Sequence, residues 1–214
     1  FIVYLYQRFA GKAAQGMGLI FKVGHNEEKQ VPLRLISLVT VTTWLTHLFG
    51  GSAGREGVAV QLGATVSHAF SRYFKIPNAS RIFLTMGMAA GFGGLFQTPI
   101  AATFFALEVL ILGQLSLPIL APTLIASFVA STTSHFLGLE KFSHFVSDSL
   151  SIDLETFVKL VLLGLTFGLV GNLFAYLLAM AKKKVASILP NPYYRVLLGS
   201  VVFTCLLLLL WKGR

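Results

Sequence analysis

Charge is what this chain mostly does without. Of its 214 residues only 12% are Asp, Glu, Lys or Arg, against 55% that are hydrophobic, whereas a soluble globular domain carries about 25% charged residues. That scarcity excludes an ordinary soluble domain and makes the lipid bilayer the expected solvent. Acids are scarcer still, and the excess of Lys and Arg leaves a net charge of +9. No basic run is interleaved with aromatics, so nucleic acid is not an expected partner, and the basic loops read as facing anionic headgroups. Cysteine is almost missing. Cys205 stands alone in VVFTCLLLLLW, which rules out a disulfide framework and a cysteine metal site and predicts a buried core thiol. His25, His47, His68, His135 and His144 show no metal-ligand spacing, there is no phosphate-binding loop, and neither cofactor nor metal is expected. The chain also lacks an initial Met and the charged region and cleavage site of a signal peptide. With FIVYLYQRF at one end and WKGR after an apolar run at the other, it is expected to belong to a longer protein.

What it has instead is apolar length. Crossing a bilayer takes about 20 residues, and residues 31–50, 116–138, 154–181 and 194–211 are long enough. Three further segments, 57–74, 79–96 and 98–112, are short and separated by GREG, RYFKIPNASR and FQTP, with Pro99 placed to open a helix. Interrupted segments are unfavourable in lipid unless their loose backbone lines a cavity or is buried in protein. Paired broken helices therefore point to a transport site near mid-membrane. The fold class predicted is all-α integral membrane. Gly87–Met–Ala–Ala–Gly91 and Gly164–Leu–Thr–Phe–Gly168 have the spacing that lets helix backbones approach. Lys182–Lys184 is expected on the cytoplasmic side and the acidic stretch 139–155 outside, with a long helix over 154–181 between them.

The stretch FGGSAGREGVAVQLGA, residues 49–64, sets an Arg–Glu pair among glycines. One reading of Arg55 and Glu56 is a solvated turn. The other is a functional carboxylate held at membrane depth, since ionisable residues there are functional by default. A helix is expected to start at Gly57 or just before it, and its unpaired N–H groups attract anions. A carboxylate can occupy that anion seat itself, and where burial favours its neutral form, proton uptake vacates the seat. Arg55 reads as structural, satisfying carbonyls or a charge partner. Met17, between Gly16 and Gly18 in AAQGMGLIF, reads by itself as a core methionine in a turn. Glu108, in the helix after Gln97–Thr98–Pro99, reads as a helix-end carboxylate. GGSAG around Ser52 resembles the Gly-x-Ser-Gly of intramembrane serine proteases, although Ala53 stands where the last glycine belongs and no histidine is placed for a dyad.

Taken together, G-M-G-L at 16–19, G-R-E-G-V at 54–58 and F-Q-T-P at 96–99 with the helix through Glu108 resemble, in order and spacing, the CLC family of anion channels and anion/proton antiporters. Members carry Gly-Ser-Gly-Ile-Pro before one short helix, Gly-Arg-Glu-Gly-Pro before another, and a Phe-Asn-x-Pro-type turn before a helix with paired glutamates. The resemblance covers nearly the whole chain. It implies a CLC-type fold of inverted repeats, with broken and tilted helices whose N-termini meet near mid-membrane. Residues 1–152 would be most of the first repeat, and 153–214 the first two long helices of the second. Glu56 would be the gating, proton-coupling glutamate. Gly16, Met17, Gly18, Arg55, Gly57 and Val58 would surround the anion, with backbone N–H groups after Gly16 and Gly54 as donors.

The departures from the family pattern carry information. Met17 stands where chloride-handling members have a serine whose hydroxyl binds the anion, and Val58 replaces a proline. Val109 stands where a second, proton-accepting glutamate would be, and Glu108 matches the first of that pair. Loss of both the serine and the inner glutamate resembles the fluoride-exporting branch, the fluoride/proton antiporters of bacteria. A thioether donates no hydrogen bond, so chloride would lose on the order of 1–3 kcal/mol if nothing replaced the hydroxyl. The resemblance further implies a homodimer in the cell membrane, a bacterial inner membrane, with the remaining ion-site elements beyond residue 214. Three other functions stay open on the residues: a chloride/proton antiporter or chloride channel of the same family, an intramembrane serine protease using Ser52, and a membrane scaffold that moves nothing. A transporter, not an enzyme, is the expectation.

Overall fold

A computed structural model of the chain describes residues 1–110, 117–140 and 153–210, and all regular structure among them is helical. It divides into two units, Phe1–Ser143 and His144–Arg214. The first opens with a short helix α1 (Ile2–Leu5), a π turn (Tyr6–Ala10) and a 3₁₀ turn (Gly11–Gln15) that lead into α2 (Met17–Gly24). There follow α3 (Arg34–Leu48), α4 (Glu56–Ser71), α5 (Ala79–Phe96), α6 (Pro99–Leu110) and α7 (Leu117–Phe136). The second unit is a pair, α8 (Leu154–Ile188) and α9 (Pro192–Leu210). His144 and most of the acidic stretch expected outside the membrane lie outside the described residues.

The first unit is built around α5, which packs against α4, α6 and α7. Lipid supplies no hydrophobic drive for one helix to seek another, so close backbone approach between small residues must hold such a bundle. That is what α4 and α5 do. A Cβ added at Gly63 would stand 2.1 Å from the Gly87 carbonyl oxygen, and one at Gly91 would stand 2.2 Å from that of Ala59. The same contact leaves Ser67 Oγ free to donate to the Phe83 carbonyl oxygen at 2.6 Å. On the other side of α5, Ser127 of α7 donates to the Ala89 carbonyl oxygen at 3.2 Å, beside Gly93. A buried cluster that includes Leu19, Ile20, Leu84, Met88, Leu107 and Leu110 fills the centre and ties α2 and α6 to this bundle.

Several boundaries differ from the sequence expectation, each for a local reason. Residues 31–50 yield a helix of only 15 residues, because Pro32 delays its start and Gly50 ends it at φ 73°. At about 1.5 Å per residue it is too short to span. Conversely, 79–96 is an unbroken 18-residue helix, and α5, α7, α8 and α9 are the four described helices long and apolar enough to cross a membrane. The expected end of α8 at 181 is overrun to Ile188, since lysine is a good helix former and no helix breaker comes before Pro190. Asp153 starts α8 as its cap, accepting from the Thr156 N–H at 2.9 Å.

Two packing expectations fail within the second unit. Gly164 and Gly168 meet nothing within 4 Å, although their spacing matches that of Gly87 and Gly91. Cys205 is exposed rather than a core thiol. Both follow from the same fact: α8 and α9 bury no residue within this pair.

Candidate functional site

Two helix starts define the site. α2 begins at Met17, after Gly16, whose φ of 54° and ψ of −125° suit glycine alone. The first bond of that turn is the Leu19 N–H to the Gly16 carbonyl at 3.1 Å, which leaves the amides of Met17 and Gly18 without helical partners. α4 begins at Glu56 with Arg55 as its N-cap, and its first bond runs from the Ala59 N–H to the Arg55 carbonyl at 2.9 Å. The amides of Glu56, Gly57 and Val58 precede that bond and have no helical partner. α2 and α4 are in contact, so two sets of free donors belong to one packed region.

Glu56 is thus the first residue of α4, where an acidic side chain meets the positive end of the helix. Its carboxylate folds back along the loop: a Cβ on Gly54 would stand 2.8 Å from Glu56 Oε2. Glycine at 54 is what makes room for it. Within the described residues Glu56 is exposed, so these elements do not bury it. Arg55 is exposed and forms no salt bridge among the described residues. It lines, with Val58, Thr40, Thr43, Trp44 and His47, a cavity of about 340 Å³ between α3 and α4. Among the described residues its guanidinium bonds to neither a carbonyl nor a carboxylate, the two partners expected for it.

Met17 and Val58 are half-buried and pack against the buried cluster, so each helix start is apolar on its inner side. Gly18 and Gly57 are exposed, with Gly57 near the amide of Gln61. Glu108 is exposed on α6, while Val109 packs against the cluster. Gln97 takes a left-handed conformation at φ 54°, ends α5 and donates to the Leu139 carbonyl, which fixes the turn into α6. Ser52 is exposed in the loop before α4 and bonds to no histidine among the described residues, so a serine nucleophile there has no base.

Gln61 is the residue that the sequence reading passed over. One turn into α4, its side chain reaches back towards the helix start, with Nε2 4.0 Å from where a Cβ on Gly57 would lie. Its Oε1 lies 3.5 Å from the corresponding point on Gly16. The amide therefore sits between the starts of α2 and α4. The signal was available: Gly57 and Gln61 are one turn apart, and a long side chain on a helix lies over the preceding turn.

Comparison with known proteins agrees with this geometry. The family model described as voltage gated chloride channel matches residues 1–212. A solved structure described as a CLC-type fluoride/proton antiporter superposes on all of this chain with a TM-score of 0.92 at 51% identity, the chain covering 54% of it. The chloride/fluoride channel protein of Pseudomonas syringae pv. tomato is 35% identical over 82% of the chain, which covers 39% of that relative. The H(+)/Cl(-) exchange transporter ClcA of Vibrio cholerae is 28% identical over 97% of the chain, which covers 45% of that relative. The chain thus spans about half the length of the proteins it matches. With its broken helices, its paired helix starts and a match over its whole length, this membrane-embedded chain has the CLC fold and belongs to the voltage gated chloride channel family.

Proposed function

We propose that the intact protein exports fluoride in exchange for protons, with Glu56 as the proton-linked gate. The observation that carries this reading is the 51% identity, over the entire chain, to a protein described as a fluoride/proton antiporter. In this reading residues 1–152 supply most of the first repeat, and 153–214 the first two long helices of the second. The rest of the protein covers Glu56 and completes the ion site. Two copies form a homodimer in the inner membrane of a bacterium.

The chemistry follows from competition for one set of donors. In the closed state the ionised Glu56 turns onto the amides at the start of α4, the place an anion would take. Protonation removes the charge that holds it there, and fluoride then takes the free amides of Glu56, Gly57 and Val58. Glu56 then releases its proton to the cytoplasmic side, and the carboxylate so restored returns to the amides and expels the anion outward. One proton thus travels opposite to one seat's anion. Gly16, Met17 and Gly18 bring the second pair of amides, and Arg55 adds positive potential from the cavity beside α3. Met17 offers no hydroxyl to a chloride ion. Val109, packed in apolar surroundings, offers no second carboxylate, so protons need another route inward.

The test uses full-length protein in liposomes, with a fluoride electrode outside and a pH-sensitive dye inside. An imposed fluoride gradient should drive protons against their own gradient, and chloride at equal concentration should move more slowly. Fluoride movement without proton movement would reject exchange. Chloride exchange is a second reading, favoured by the likeness to the H(+)/Cl(-) exchange transporter over 97% of the chain. It predicts that chloride, not fluoride, drives the protons.

A further inference from the structure

A second site lies away from the helix starts, where the loop before α3 meets the end of α4 and the start of α5. There a cavity of about 330 Å³ is lined by Lys29, His68, Arg72 and Ser80 among others. Its lining contains two cations and no carboxylate. The one acid paired nearby, Glu28, is held by Lys12 at 2.7 Å, and residues 57–107 contain no acid at all. Lys29 and Arg72 form no salt bridge among the described residues. Arg72 rests on the Tyr73 ring, 4.9 Å from its centre, and gives one bond to the Tyr73 hydroxyl at 3.0 Å. Among the described residues most of the guanidinium's five N–H donors have no other partner.

The cavity also holds neutral donors. His68 is only 7% exposed, its Nδ1 lies 3.2 Å from Ser80 Oγ, and among the described residues its other nitrogen bonds to no protein atom. His68 lines the cavity, so that nitrogen is open to an occupant. Ser80 stands in the first turn of α5, whose first bond is the Ile82 N–H to the Asn78 carbonyl at 3.1 Å. The amides of Ser80 and Arg81 are therefore free.

We infer that this cavity binds a phosphate group, that of an anionic phospholipid headgroup. Arginine, lysine, imidazole and free helix-start amides together are the donors that phosphate oxygens accept from. The surroundings select lipid over a soluble ester. α5 is long enough to cross the membrane and starts at this cavity, which sets the cavity at the membrane edge. Phe70, Tyr73, Phe74 and Ile76 are exposed around it and offer acyl chains an apolar collar. Basic residues cluster at this end (Lys22, Lys29, Arg34, Arg72, Lys75, Arg81), which marks it as the cytoplasmic side, where anionic lipids concentrate. A choline headgroup brings its own cation and finds no carboxylate to meet it.

The experiment measures lipid retained by the full-length protein in native mass spectrometry, with phosphatidylglycerol, phosphatidylcholine or inorganic phosphate added at matched ionic strength. Wild type should retain phosphatidylglycerol in preference to phosphatidylcholine. The K29Q/R72Q double variant should bind it at least about tenfold more weakly, the loss of charge-assisted bonds being at that scale or above. Both positions are exposed, so an unchanged Tm in detergent shows that the variant is folded, and R72K should recover part of the binding. Displacement of the lipid by inorganic phosphate at comparable concentration would reassign the occupant to a soluble phosphate and overturn the lipid assignment. Equal retention of the two lipids, or phosphatidylglycerol binding unchanged in K29Q/R72Q, would overturn the site.

Discussion

Gly87→Ala and Gly91→Ala are the smallest changes that test how α4 is held in place. A Cβ at Gly87 would stand 2.3 Å from the Gly63 carbonyl oxygen, and one at Gly91 2.2 Å from the Ala59 carbonyl oxygen. Ordinary contacts of carbon lie near 3.5 Å, so each methyl intrudes by about 1 Å. The obstacle is backbone on a facing helix, which no rotamer change relieves, so α4 and α5 must separate. A gap of that size forfeits about a quarter to a half of each dispersion contact along the interface. Overpacking costs about 1–3 kcal/mol, and the upper end applies here because both partners are rigid. Alanine returns about 1 kcal/mol of helix propensity, leaving a net loss of about 2 kcal/mol for either variant. Gly94→Ala is the control on the same helix, because its Cβ would find ordinary contacts at 3.6 to 3.9 Å around Ala130. It should be neutral or slightly stabilising. Thermal unfolding of the full-length protein in detergent, followed by tryptophan fluorescence, reads the difference. Transport in liposomes should fall with Gly87→Ala and not with Gly94→Ala, since α4 carries the proposed gate. If Gly87→Ala and Gly94→Ala share one Tm, the close contact of α4 and α5 is not what positions that helix.

Gln61→Leu keeps the side-chain volume but removes the amide between the two helix starts, and it should raise the fluoride concentration for half-maximal flux about tenfold, the scale of one hydrogen bond to an ion. Met17→Ser restores a hydroxyl at the start of α2 and should raise chloride flux relative to fluoride, measured with ion-selective electrodes on the same liposomes; an unchanged ratio would remove Met17 from selectivity. Asp153 caps α8, and the hydrogen bonds from Thr156 hold its carboxyl below the usual value. A carboxyl lowered in the folded state stabilises above its unfolded pKa and loses that contribution as pH falls through the folded one. Asp153→Ala should therefore lower Tm at pH 7 and converge with wild type in strong acid.

The sequence was readable wherever a local rule decided the outcome. α5 runs from 79 to 96 as its apolar pattern indicates, and α4 starts at Glu56 because a glycine-flanked loop ends there. The Gly87–Gly91 spacing is a real helix contact, whereas Gly164–Gly168 meets nothing in its unit, and the same letters at the same spacing could not separate the two. Apolar neighbours predict a buried Cys205, but along a membrane helix they do not fix which way a side chain faces, and within its unit it is exposed. Gln61 went unread because its importance comes from Gly16, far off in sequence, and only the packing of α2 on α4 joins them. The cavity around His68 is of the same kind. Residues 29–33, 68–72 and 80 come together through the fold, and no motif links them.

The Glu56→Gln variant of the full-length protein, reconstituted beside wild type, puts the proposed gate itself to trial. Glutamine keeps the size and the hydrogen-bonding reach of the side chain but carries neither the charge that competes with the anion nor a proton to deliver. Fluoride efflux and internal pH, recorded together, should show proton movement in wild type and none in the variant. Proton-coupled fluoride flux at the wild-type ratio in Glu56→Gln would show that another group does this work.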